Sequence, residues 1–172
     1  MNNSKEPFIK LKPSQLINLP VFLLGVLLIP GFFLLDKLIK RYLPSDFIPD
    51  KFEPYILNLP VYLAVLFAVY LGYHMLKIYC LRYEISSEEL RYYSGILRRK
   101  HEFIELYRLK DYRIDRPLIY RLFGLGNLTI YTSDKTTPVF KMEAIANPKN
   151  IYKTLRDLVE QNRREKHVFE VD

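Results

Sequence analysis

The sequence predicts a membrane protein of α+β class: an N-terminal transmembrane helical hairpin, then an antiparallel β-barrel capped by a C-terminal α-helix. Three observations predict it. Leu16–Leu35 and Tyr55–Leu76 are uncharged runs of 20 and 22 residues, each long enough to span the hydrocarbon core as a helix. Beyond Lys77 the chain changes to short strand-like segments separated by turn residues. It closes with an apolar stripe at helical spacing.

Composition alone hides this division. The chain has 172 residues, 49% hydrophobic and 26% charged, with a formal net charge of +7. From Lys77 onward, 96 residues hold 19 of the 26 Lys+Arg and 14 of the 19 Asp+Glu. Two membrane-length runs joined to a basic, mixed region exclude a purely soluble globule and a disordered chain. A single cysteine, Cys80, excludes an internal disulfide framework.

The first apolar run is too long for the core of a signal peptide, and Asp36, Lys37, Lys40 and Arg41 follow it instead of a cleavage site. Asn18-Leu19-Pro20-Val21-Phe22-Leu23 is echoed by Asn58-Leu59-Pro60-Val61-Tyr62-Leu63. Asn caps helices and Pro suits a first helical turn, so each echo marks a helix start. Pro30-Gly31 is expected to kink the first helix. Ala64, Ala68 and Gly72 recur every four residues, a small-residue stripe expected to pack against another helix, in the first place the first one. Neither run carries Asp, Glu, Lys or Arg, which argues against a transport path, and His74 is expected at the membrane edge.

Orientation follows from the flanking cations. Lys5, Lys10 and Lys12 precede the first run, and Lys77, Arg82, Arg91, Arg98, Arg99 and Lys100 follow the second. The segment between them holds four basic and four acidic residues, including Asp46 and Asp50. Both termini are therefore expected on the cytoplasmic side of the inner membrane, with a short outside loop.

In the second half, Arg82–Ile85 and Leu90–Tyr93 read as strands around a Ser86–Glu89 turn, and Ser94-Gly95 supplies the next turn. Ile96–Leu106, Tyr112–Arg116, Asn127–Thr132 and Pro138–Met142 follow as further strands. Asn147 and Pro148 open a helix in which Ile151, Leu155, Leu158 and Val159 share a face, with Arg163, Arg164 and Lys166 at its end.

Tyr83-Glu84-Ile85, then Ser94-Gly95-Ile96-Leu97-Arg98-Arg99, then Leu118 through Thr132 resembles the bacterial pleckstrin-homology-like family, also called the membrane-flanked domain. The most specific part is Arg-x-Phe-Gly-x-Gly-x-Leu-x-Ile-x-Thr from Arg121 to Thr132. The resemblance covers roughly residues 78 to 165. It implies a PH-like fold: two nearly orthogonal sheets forming a seven-stranded barrel, closed by the C-terminal helix. The expected organisation is then an N-terminal cytoplasmic segment 1–15, a hairpin 16–76, a PH-like domain 77–166 and a tail 167–172. Relatives that bind inositol phosphates carry Lys and Arg around the first strand–strand loop. Read as Ser86-Ser87-Glu88-Glu89, that loop is acidic here, which argues against specific phosphoinositide binding.

Other chemistry is sparse. Gly124-Leu125-Gly126 lacks the third glycine and the following helix of a dinucleotide fingerprint, and reads as a turn before a strand. His74, His101 and His167 have no cysteine or carboxylate at metal-ligand spacing. Asp111 and Asp115 are too far apart along a strand to act as a carboxylate pair. No nucleophile, base and orienting group can be assembled, so no catalytic residue, metal, cofactor or small-molecule substrate is expected, and no nucleic acid. The expected function is non-enzymatic: a membrane protein presenting its PH-like domain as a protein-interaction or scaffold module, with protein partners or a second copy, or as a subunit or assembly factor of a membrane complex. The alternative is binding of anionic lipid headgroups through Arg98, Arg99, Lys100 and Arg121, with Arg91, Arg108, Arg113 and Arg116 nearby in sequence.

Overall fold

A computed structural model describes residues 9–42, 49 and 52–166. Lys5, His167, the tail 167–172 and most of the inter-helix loop, with Asp46 and Asp50, lie outside the described residues. The chain divides into two compact units, Met1–Ile17 with Lys77–Asp172, and Asn18–Leu76.

Among the described residues, the first unit holds seven antiparallel strands in two sheets. Strand β1 (Ile9–Leu11) pairs with β2 (Arg82–Ile85), β2 with β3 (Glu89–Ser94), and β3 with β4 (Lys100–Glu105). The second sheet is β5 (Leu109–Asp115), β6 (Leu125–Thr132) and β7 (Val139–Ala146), in that order. Strand β1 has no counterpart in the sequence reading, because three residues cannot display an alternating pattern. Its register, Ile9↔Ile85 and Leu11↔Tyr83, lays both apolar residues beside core residues of β2. The connection from β1 to β2 is therefore the whole segment 12–81, helical hairpin included. Ser86-Ser87-Glu88-Glu89 joins β2 to β3 and is not the first strand–strand loop. Its acidity carries no weight against a ligand at that first connection.

The expected closed barrel is a pair of separate sheets. Among the described residues, no ladder joins β4 to β5 or β1 to β7. A 3-10 turn at Leu106–Arg108 interrupts the chain between β4 and β5. The two sheets instead share one core: Ile85, Leu90 and Ile104 from the first meet Leu128, Ile130 and Met142 from the second. Helix α5 (Pro148–Glu165) adds Leu155 and Val159 to it, with Leu158 partly buried at its margin. Asn147 does precede this helix, but as a left-handed residue (φ 47°) whose side chain makes no cap hydrogen bond; its carbonyl accepts from the N–H groups of Asn150 and Ile151. Asn tolerates that conformation at lower cost than most residues.

Two local features differ from the alternating pattern. The strand expected from Ile96 begins only at Lys100, because Gly95 turns the chain with φ +100°; a Cβ there would lie 1.9 Å from the Arg98 carbonyl oxygen. Pro117 starts a short helix, α4 (Leu118–Leu122), between β5 and β6.

The second unit comprises most of α1 (Leu19–Tyr42), the short α2 (Glu53–Leu57), and α3 (Leu59–Tyr79) up to Leu76. Both long helices start immediately after the echoed Asn18 and Asn58. Helix α1 runs on through Pro30-Gly31 and past Leu35 to Tyr42. Both long helices have the length and apolarity to cross a membrane. They pack antiparallel: the Asn18 amide donates to the His74 carbonyl at 3.1 Å, and a Cβ on buried Gly25 would sit 3.0 Å from Leu71. Phe67 and Leu71 meet α1 at Gly25. Ala64 is buried, but Ala68 and Gly72 are exposed and nothing approaches a Gly72 Cβ within 4 Å. The expected stripe is thus not the seam with α1. The reason is periodic: steps of four residues drift about 40° each around a helix of 3.6 residues per turn, whereas alternating steps of three and four hold one face.

Candidate anionic-surface site

The most basic part of the first unit is the β3–β4 hairpin tip. Gly95 lets the chain fold back on itself, so Ile96–Arg99 project beyond the paired strands. Leu97, Arg98, Arg99 and Lys100 are all exposed, and Leu97, at 99%, touches almost nothing. An unpaired guanidinium is costly to bury, and the tip avoids that cost.

A cleft of about 520 Å³ lies beside the tip and gathers cations from three stretches of chain: Lys12 after β1, Arg82 opening β2, and Arg99. The Lys12 ammonium lies 5.2 Å above the Tyr79 ring. His101 stacks edge-on against Tyr93 with centroids 4.8 Å apart. Glu84 also lines the cleft, 3.8 Å from the Arg82 guanidinium. The remaining balance is positive, and the cleft can hold an anionic group by Coulomb attraction and donated hydrogen bonds.

The expected basic cluster does not assemble whole. Arg91 is held by Glu89 at 2.5 Å, and Arg108 by Glu105 at 2.9 Å and Asp134 at 3.4 Å. Arg116 donates to the Leu125 carbonyl and Arg121 to the Arg116 carbonyl, at 3.2 and 2.8 Å. Arg121 sits on α4, a different element from the Arg98–Lys100 tip.

The glycine pattern that follows Arg121 has a backbone cause. Gly124 takes φ +67°, and a Cβ on Gly126 would fall 2.7 Å from Arg116 Cγ and 2.8 Å from Pro148 Cγ. Opposite it, β7 bulges: Ala144 takes φ 46°, and its N–H donates to Asn127 Oδ1 at 2.9 Å. The Ala144 carbonyl accepts from the Ser14 N–H at 3.0 Å, which ties the end of β7 to the segment after β1.

Helix α4 shows what the sequence reading missed. Leu118 is 75% exposed, Leu122 83% and Phe123 62%, with Ile119 exposed beside them. The signal was present as Leu-Ile-Tyr-Arg-Leu-Phe after a proline, but apolar residues in a strand-rich region read as core. Lys12 was missed for a different reason, because the ordering of β1 beside β2 is invisible locally. The buried tyrosines are structural: burial pushes the Tyr112 hydroxyl up to about 12 and raises Tyr83 still further. Among the described residues no three His, Cys, Asp or Glu side chains gather as a metal site.

Two antiparallel sheets of four and three strands, packed on one core and covered by a C-terminal helix, define a small α+β fold that exposes a cationic tip and the apolar residues of α4. A family model described as the bacterial PH domain matches residues 17–159, and the chain belongs to that family. PH-like domains are typically non-catalytic modules that bind protein or lipid. Neither a curated protein nor a solved structure matches the chain.

Proposed function

We propose that this protein is a non-enzymatic, membrane-anchored interaction module. On this reading α1 and α3 cross the inner membrane as a hairpin, and the PH-like unit stays on the cytoplasmic side with both termini. The observation that carries it is the insertion of the two long apolar helices into the β1–β2 connection. The unit is then tied to the bilayer by two segments of chain, one entering α1 and one leaving α3. The cationic tip and cleft supply the binding chemistry; Arg98, Arg99, Lys100 and Arg121 are the contacts offered to an anionic surface. Ala68 and Gly72, exposed on α3, leave room for a helix of a further subunit.

Cysteine labelling in intact cells tests the topology, in a Cys80→Ser background. A cysteine replacing Ser45 is expected to react with an impermeant reagent, and one replacing Ser133 is expected not to. The opposite pattern would overturn the arrangement. Native mass spectrometry of the full chain in mild detergent separates a monomer from self-association.

A further inference from the structure

We infer that α4 and the β3–β4 tip form an interfacial wedge that seats the PH-like unit on an anionic bilayer surface. The inference rests on the anchored reading above and names the surface that the unit meets.

The first observation is the unpartnered apolar face. Leu118, Ile119, Leu122 and Phe123 are exposed together within one turn and its exit. Adjacent large apolar residues in water mark an interaction surface. Among the described residues, their neighbours Arg116 and Arg121 bond to backbone carbonyls through Nε, which leaves the terminal nitrogens of each guanidinium to donate to phosphate. The tip repeats the combination: Leu97, wholly exposed, stands beside Arg98, Arg99 and Lys100. Apolar residues beside cations are the composition of segments that lie in the headgroup region.

Position selects the bilayer over other occupants. Ser14, five residues before α1, is bonded to Ala144, and Asn147 is bonded to Gly124 at the exit of α4. Ala144 to Asn147 is at most about 10 Å of chain. At the other side, the tip shares its cleft with Tyr79 and Cys80, where the chain returns from α3. Both apolar–basic elements therefore flank the points at which the first unit meets the chain running into and out of the apolar helices. Each cation brought near an anionic leaflet adds Coulomb attraction, which complements the burial of the apolar side chains beside it.

The test uses the full chain with Cys80→Ser in nanodiscs of phosphatidylcholine containing about 30 mol% phosphatidylglycerol. An environment-sensitive fluorophore is placed at Leu122→Cys, Leu97→Cys, Leu27→Cys or Asp157→Cys, and quenched by a spin label on the upper acyl chain. Quenching is expected at 122, 97 and 27 and not at 157. At 122 it should fall at least about twofold in pure phosphatidylcholine, and equally with Arg98→Gln, Arg99→Gln and Lys100→Gln combined. Quenching at 27 without quenching at 122 and 97 would overturn the wedge and leave the anchor standing. Absence at 27 would bring down the anchored reading and the wedge with it. Equal quenching at 122 in both lipids would overturn the anionic requirement. A dimer mass abolished by Leu122→Ser, with 122 unquenched, would assign the apolar face to a second copy instead.

Discussion

At the scale of single residues, the most constrained point is where β6 and β7 bulge past one another. Ala144 is fully buried with φ 46°, held by Asn127 and Ser14. Left-handed backbone is tolerated by Gly and poor for a β-branched residue. Ala144→Gly is therefore expected to change stability by less than about 1 kcal/mol, while Ala144→Val should cost on the order of 2 kcal/mol or more. Thermal melting of the two variants in the same detergent checks the contrast; equal losses would mean that packing, not backbone conformation, governs the site. Gly126→Ala should be destabilising for a different reason, because its Cβ has no room between Arg116 and Pro148. The tyrosines predict a response to alkali. Tyr112 is raised by burial from 10.0 to about 12, and Tyr83 moves the same way. The unfolded chain loses these protons first, so stability is whole below pH 10 and falls as pH rises toward 12. Tyr112→Phe should make that alkaline fall shallower in pH-dependent denaturation.

Individual elements separate the core from the exposed parts. Helix α5 buries Leu155 completely and Leu158 only in part. Leu155→Ala is expected to cost about 2–5 kcal/mol, and Leu158→Ala clearly less. A wild-type melt for Leu155→Ala would show the helix to be peripheral. The β3–β4 tip behaves in the opposite way. Replacing Arg98, Arg99 and Lys100 by Gln should leave melting unchanged, since none of them is buried, and should weaken association with an anionic surface most at low salt. Loss of fold in that triple variant would make the run structural.

For the whole molecule, the decisive feature is that β1 comes from ahead of the helical hairpin. Residues 78–172 alone leave the β2 edge unpaired and remove Ile9 and Leu11 from the margin of the core. An open apolar edge invites aggregation. The isolated fragment is expected to melt lower and to associate more than one in which residues 1–17 are rejoined through a short flexible linker in place of the hairpin. Identical melting and mass for the two would show that β1 adds nothing to the unit.

Several elements were legible locally because they repeat within a few residues. The uncharged runs and their Asn-x-Pro starts mark α1 and α3, alternation marks β2, β3 and β6, and the i, i+4 stripe marks α5; each signal lies inside the element that it describes. The candidate site was legible only in part, since Arg98-Arg99-Lys100 announces a charged tip by composition, while α4 was hidden inside a motif whose apolar letters read as core. What the sequence by itself determined is the identity of most elements and the family to which they belong. Only the tertiary structure decided where β1 pairs, that the sheets stay separate, that Ala68 and Gly72 turn away from α1, and which apolar residues remain exposed. These depend on contacts between residues far apart in the chain, such as Leu11 with Tyr83 and Ser14 with Ala144, and no local pattern records a partner some 70 or 130 positions away.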